Sequence, residues 1–123
     1  MFFTFFLSCE PFVNEFSDFS EAQMYTAVTI IPASVNNNPV VMTWNIRFGA
    51  ARFPFFADAC GDSVILKKER VEFNLDKISA KIREIDPDII LFQEVDVLSK
   101  RSGYINQIQY LLDNTSMNYG CYA

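Results

Sequence analysis

Two side chains in this sequence are placed to do chemistry. Asn45 closes the apolar run Val40-Val41-Met42-Thr43-Trp44, and Glu94 follows Asp88-Ile89-Ile90-Leu91-Phe92-Gln93, roughly fifty residues further on. Each run reads as a buried strand that delivers a polar group at its carboxyl end, where open α/β sheets place their ligand sites. The charge balance narrows what that ligand can be. A formal net charge of −5 and a pI near 4.6 argue against a surface that holds nucleic acid by phosphate neutralisation alone, because that mode needs clustered Lys and Arg. A phosphate substrate here needs the help of a metal ion.

The elements that must position these two residues can be read from hydrophobic periodicity. Val40 to Ile46 is rich in β-branched residues and predicts a strand with Trp44 inward and Asn45 at its end. Gly49 to Asp62, with Pro54 and Gly61, predicts an irregular loop of a length that is often functional. Val71, Leu75, Ile78, Ile82 and Ile85 then recur at intervals of four and three, which puts them on one stripe of a helix. Asp62 or Ser63 is a candidate cap for its start, and Pro87 enforces its end. The charged run Lys67-Lys68-Glu69-Arg70 fits the solvated face of that helix. Ile89 to Phe92 follows at once as a short buried strand.

Strand, helix and strand over this span make a βαβ unit, whose right-handed crossover renders the two strands parallel and commonly adjacent. Asn45 and Glu94 then share one edge of the sheet. A second helix is expected from about Gly103 to Asn114, with Ile105, Ile108, Leu111 and Leu112 inward, and a last strand from near Tyr119.

The chain of 123 residues fits one domain, and a 50% hydrophobic content is enough to bury a core. Thirteen Phe residues are a heavy load, and they mark the amino-terminal third as a different kind of segment. Met1-Phe2-Phe3-Thr4-Phe5-Phe6-Leu7-Ser8 is apolar and ends in a small residue before Cys9, which resembles the tail of a bacterial lipoprotein signal. On that reading residues 1–9 are a signal segment, Cys9 carries the lipid, and the protein is exported and membrane-anchored in a bacterium. The alternative is an apolar terminus that packs on the domain, in a cytoplasmic protein. Cys60 and Cys121 read as unpaired thiols without a chemical role.

Residues 10–38 show no sustained period and read as an extension or linker, with a small strand at Tyr25 to Ile31 that Pro32 would end. Ser34 to Pro39, with three consecutive Asn, is a turn signal, so the folded domain is expected over residues 39–123.

At this point the residues match a family. Thr43-Trp44-Asn45-Ile46-Arg47, an amphipathic helix, Asp86-Pro87-Asp88-Ile89-Ile90-Leu91-Phe92-Gln93-Glu94-Val95, then Arg101-Ser102 and a helix containing Gln107 resemble the opening of the endonuclease/exonuclease/phosphatase superfamily. The resemblance implies an α/β fold of the deoxyribonuclease I type, a four-layer α/β sandwich with two sheets packed face to face. It implies a phosphoric ester hydrolase in which Glu94 ligates the catalytic Mg²⁺, with Mn²⁺ as the alternative ion. Asn45 would hydrogen-bond near the metal or the scissile phosphate. Mg²⁺ takes oxygen ligands and keeps several waters, so one or two carboxylates with an amide to orient phosphate suit it.

Each assignment has a plainer counterpart. Glu94 can be a solvated charge at a strand end, and Asn45 a local cap of the turn that follows. Arg47 and Arg101 are candidate ligands for substrate phosphate or ordinary surface cations. Asp96 reads as a surface carboxylate, with support of the site as its alternative. Gln107 matches the family pattern only as a helix-packing or loop-anchoring position.

The superfamily also uses a His paired with an Asp and an Asp-x-Asn element, and this sequence has neither a His nor that tripeptide. The expectation is an amino-terminal part of a longer hydrolase domain, inactive as these residues alone. The competing functional class is a non-catalytic binding or surface module that keeps the fold. Substrates hydrolysed within the superfamily include nucleic acids, phosphoinositides and small phosphoesters, and nothing in these residues separates them.

Overall fold

The computed structural model describes residues 21–32, 37–54 and 63–123. Cys9, Cys60, Asp62 and most of the 49–62 loop lie outside the described residues. The described chain has mixed helix and strand content, with two small sheets and two α-helices in an α/β arrangement.

Its centre is the βαβ unit. Strand β2, Val41–Asn45, and strand β3, Ile89–Gln93, pair in parallel, with Val41 opposite Ile89 and Asn45 opposite Gln93. Helix α1, Lys68–Ile85, makes the crossover between them. Met42, Trp44, Ile90 and Phe92 face the helix and pack on a core that contains Leu66, Val71, Leu75, Ile78 and Ile82. Because side chains alternate along a strand, the intervening residues face away. Val41 and Leu91 are each 57% exposed, so the two strands are covered on one face rather than buried on both.

Helix α1 departs from expectation at each end. Four members of the predicted stripe are buried, but Ile85 is 40% exposed, because it lies in the last residue of the helix beyond the reach of the sheet. The amino-terminal cap position is Lys67, without a side-chain cap, so Ser63 does not cap the helix. The reason lies in the preceding segment: Leu66 is buried and donates its N–H to the carbonyl of Arg101 at 2.8 Å, which holds the chain short of the helix. At the other end Asp86 adopts a left-handed φ of 50°, returns its N–H to the Ile82 carbonyl, and hands over to Pro87.

Helix α2, Gln107–Asp113, begins later than the periodicity predicts. Residues 97–106 instead form a tight loop, with Val97 bridged to Asn106 and a 3₁₀ turn at Lys100–Ser102. Gly103 ends that turn at φ +75°, where a Cβ would sit 2.8 Å from the Lys68 Cα, so both the backbone and the space require glycine. The Asn106 side chain accepts from the Gln109 N–H and sets the new helix start. Tyr110 ties α2 to α1 through a 2.7 Å hydrogen bond to Asp76; burial first, and then that carboxylate, push its hydroxyl up to about 12.

The second sheet joins two distant segments. Strand β1, Gln23–Thr26, pairs antiparallel with β4, Tyr119–Tyr122, and Tyr25 and Ala27 are buried against Leu112. The strand read at Tyr25 to Ile31 is thus shorter and shifted toward the amino terminus. Beyond it the Asn118 side-chain amide both donates to and accepts from the Ile31 backbone, at 2.7 and 2.8 Å, and so mimics another rung of the ladder. No helix among the described residues is long and apolar enough to cross a membrane.

Candidate functional site

The parallel register sets Asn45 beside Gln93, and the next residue of that chain is Glu94. The pairing continues one step past the strands, since Ile46 N–H donates to the Gln93 carbonyl at 3.1 Å and Phe48 N–H to the Glu94 carbonyl at 2.6 Å. The two side chains meet: Asn45 Nδ2 donates to Glu94 Oε1 at 2.7 Å. Asn45 Oδ1 is also used, accepting the Arg47 N–H at 2.9 Å. The local cap and the cross-strand contact are therefore two ends of one amide. Both side chains are exposed, so a ligand can reach them.

The backbone around this pair is unusual. Arg47, Phe48 and Glu94 have φ of 49°, 44° and 54°, a left-handed region that costs a non-glycine residue about 1–3 kcal/mol. Such conformations persist only where surrounding contacts over-determine them. Here buried amides do so. Gln107, with no exposure, donates from Nε2 to the Phe48 carbonyl at 2.8 Å and accepts the Asp96 N–H on Oε1 at 3.1 Å. Asn74, on the buried side of α1, donates to the Gly49 carbonyl at 2.7 Å.

Asp96 is not a surface carboxylate. It is 7% exposed and takes a two-pronged contact from Arg101, Nε to Oδ2 at 2.9 Å and Nη2 to Oδ1 at 2.7 Å, with Ser102 Oγ adding a bond of 2.7 Å. Burial pushes its carboxyl up, but the bonds from Arg101 and Ser102 and the Arg101 charge outweigh burial, leaving it below the ordinary value. The Asp96 bond raises Arg101 in turn, and the charge of Glu94 adds to that rise. The same guanidinium lies over the Phe48 ring, 4.0 Å from its centroid. Its contacts with Asp96 use two of the five N–H donors of an arginine. Arg47 turns back on its own loop, with Nη1 donating to the Ala51 carbonyl at 3.1 Å.

The structure thus brings Asn45 and Glu94 into direct contact and sets Arg101 within electrostatic reach of Glu94. It gives the Arg47 side chain a partner in its own turn. The anchoring by Asn74 was not read from sequence, and Asp96, for which support of the site was the alternative reading, is buried rather than on the surface. Asn74 left a signal: it sits three residues after Val71 and four before Ile78, a polar residue inside an apolar stripe. Asp96 left none, because its partners belong to the irregular loop at 97–106.

One comparison decides the family. The model of the Endonuclease/Exonuclease/phosphatase family matches residues 42–122, more than half of the chain. The chain belongs to that family. No curated protein and no solved structure matches it. Members of the family are generally hydrolytic, act on phosphoester substrates and are typically dependent on a divalent metal. The match covers all of β3 and all but the first residue of β2, with Asn45, Glu94 and the loops behind them.

Among the described residues no three His, Cys, Asp or Glu side chains cluster as a ready-made metal cage. The donor set still suits a hard cation held largely through water. Glu94 is exposed, and among the described residues only the Oε1 of its carboxylate is engaged, so the second oxygen is open to a cation of that kind, with the Asn45 carboxamide alongside.

Proposed function

We propose that Asn45 and Glu94 form part of the catalytic site of a magnesium-dependent phosphoesterase that cleaves phosphodiester or phosphomonoester bonds. The observation that supports this most is the 2.7 Å Asn45–Glu94 contact at the carboxyl edge of a parallel pair, on a backbone held in strained conformations. A four-layer sandwich of the deoxyribonuclease I type is the fold in which this edge would operate.

In this reading Glu94 would hold Mg²⁺, or Mn²⁺, while its Oε1 is fixed by Asn45. The bound cation supplies charge neutralisation at phosphorus and a more acidic water. Asn45 keeps Glu94 in one rotamer, so that the carboxylate does not have to be ordered when substrate arrives. The donors of Arg101 that Asp96 leaves unused face phosphate oxygens, and the Asp96 pair restricts the guanidinium to one plane. Arg47 is the second phosphate contact, released from Ala51 when an anion competes for its guanidinium. Catalysis then depends on placing fixed charge where the transition state develops it.

The full-length protein carrying these residues should hydrolyse para-nitrophenyl phosphate or its bis-ester only when Mg²⁺ is present. Replacing Glu94 with Ala should lower kcat/KM by about a thousandfold, the scale of losing a charge-stabilising group, with little change in thermal midpoint. A Glu94→Ala protein that keeps its magnesium-dependent rate removes Glu94 from the site. A wild type that shows neither hydrolysis nor a thermal shift on adding Mg²⁺ leaves the binding-module class standing instead.

A further inference from the structure

We infer that Gln107 is a positioning residue for this site: one buried carboxamide that locks the two strand-end loops to each other and thereby sets the geometry of Asn45 and Glu94. The inference rests on the function proposed above. Gln107 touches neither of those side chains. It acts on the backbone that carries them, from the first residue of α2.

The geometry supplies both halves of a clamp. Nε2 donates to the Phe48 carbonyl, in the loop that follows Asn45, and Oε1 accepts from the Asp96 N–H, in the loop that follows Glu94. Phe48 N–H in turn reaches the Glu94 carbonyl, so the two loops and the one side chain close a ring of hydrogen bonds. Two of the bonds in that ring meet Phe48, which holds positive φ, and one of those two also meets Glu94, which does as well. Gln107 is completely buried, so water cannot take over either bond if the amide is removed. Its backbone is fixed as well, because its own N–H donates to the Asp96 carbonyl at 3.1 Å.

A side chain that merely fills space at this position would be replaceable by an apolar residue of similar length. A clamp is not, because it needs a donor and an acceptor together on one planar group at the end of this side chain, which the amide provides. Glutamate supplies the acceptor alone, and methionine supplies neither.

The test uses the full-length protein as wild type, Gln107→Met and, should the methionine variant not fold, Gln107→Glu. Amide hydrogen exchange is read first on metal-free protein. Exchange at Phe48 should speed by about tenfold or more in either variant, and exchange at Asp96 should speed in Gln107→Met but much less in Gln107→Glu. Hydrolysis of bis-para-nitrophenyl phosphate should then lose 10- to 100-fold in kcat, with KM within about twofold, and the Mg²⁺ concentration for half-maximal rate should rise about tenfold, the scale seen when an outer partner of a ligand is lost. Unchanged exchange at Phe48, or a lowered thermal midpoint with kcat and magnesium dependence intact, overturns the positioning role while leaving the proposed function in place. A wild type without magnesium-dependent hydrolysis overturns both.

Discussion

The two edges of the β2–β3 pair are built on opposite principles. At the amino edge the chain turns through Asp86-Pro87-Asp88 with exposed groups: Asp88 Oδ2 accepts the Val40 N–H at 2.7 Å, and Asp86 Oδ1 accepts from Ser116. At the carboxyl edge the turning backbone is held from within, by Gln107, Asn74 and the Asp96–Arg101 pair, and it carries Arg47, Phe48 and Glu94 at positive φ. Exposed caps can be replaced by water at small cost, whereas buried amides cannot. The difference separates an edge that only has to turn from one that has to hold two side chains in a fixed relation.

If that contrast is real, the carboxyl edge should be far more sensitive to substitution. Gly49 offers the largest effect. Its φ is +72°, and a Cβ would lie 2.9 Å from Val71 Cγ1, inside the core of α1. Gly49→Ala should therefore cost about 2–5 kcal/mol, combining left-handed strain of about 1–2 with overpacking of about 1–3. Urea unfolding of the full-length protein measures it. A loss under about 0.5 kcal/mol would mean that the loop yields easily, and the edge would not be rigid.

Asp96 should rank next, and it has a pH signature. Its folded carboxyl lies below the ordinary value, so its contribution is present above about pH 4 and fades as pH falls through the lower folded value. Asp96→Ala leaves Ser102 only its longer bond to the Ser99 carbonyl and leaves the half-exposed Arg101 charge without its partner, which should cost about 2 kcal/mol at neutral pH. The gap between wild type and variant should then narrow on acidification. A gap that stays constant from neutral pH to pH 2 would show that the ion pair does not supply the difference.

How much of this was legible follows from which interactions are local. The βαβ unit was readable because the stripe from Val71 to Ile82 has helical spacing and the runs at Val41 and Ile89 are bounded by Pro and polar residues. That single inference put Asn45 and Glu94 on one edge, and the structure shows them in contact. Four other features were not readable. The start of α1 depends on the Leu66 contact with Arg101, and the start of α2 on Asn106 and Gly103, both set by the packing of a loop rather than by periodicity. The position of β1 depends on β4, a partner about a hundred residues away. The burial of Asp96 needs Arg101, Ser102 and Gln107 to converge, and no spacing rule encodes that.

The smallest expected effect gives the sharpest test, because both edges contain a comparable strained residue. Glu94 has φ of 54° and Asp86 φ of 50°, and neither is glycine. Replacing either with glycine should relieve about 1–2 kcal/mol of left-handed strain, offset by roughly 0.5–1 kcal/mol of added backbone freedom in the unfolded chain. The net gain should be about 0.5 kcal/mol in each case, somewhat less at Asp86 if the Ser116 bond contributes. The two variants should diverge only in activity. Asp86→Gly should keep the magnesium-dependent rate, since the amino edge does nothing but turn, while Glu94→Gly should be at least as stable as wild type and inactive. Strain that is retained where its removal is stabilising is strain maintained for the carboxylate it presents. If Glu94→Gly proved clearly less stable than wild type, the carboxylate would be holding the loop together through Asn45, and the carboxyl edge would be a structural joint like its counterpart.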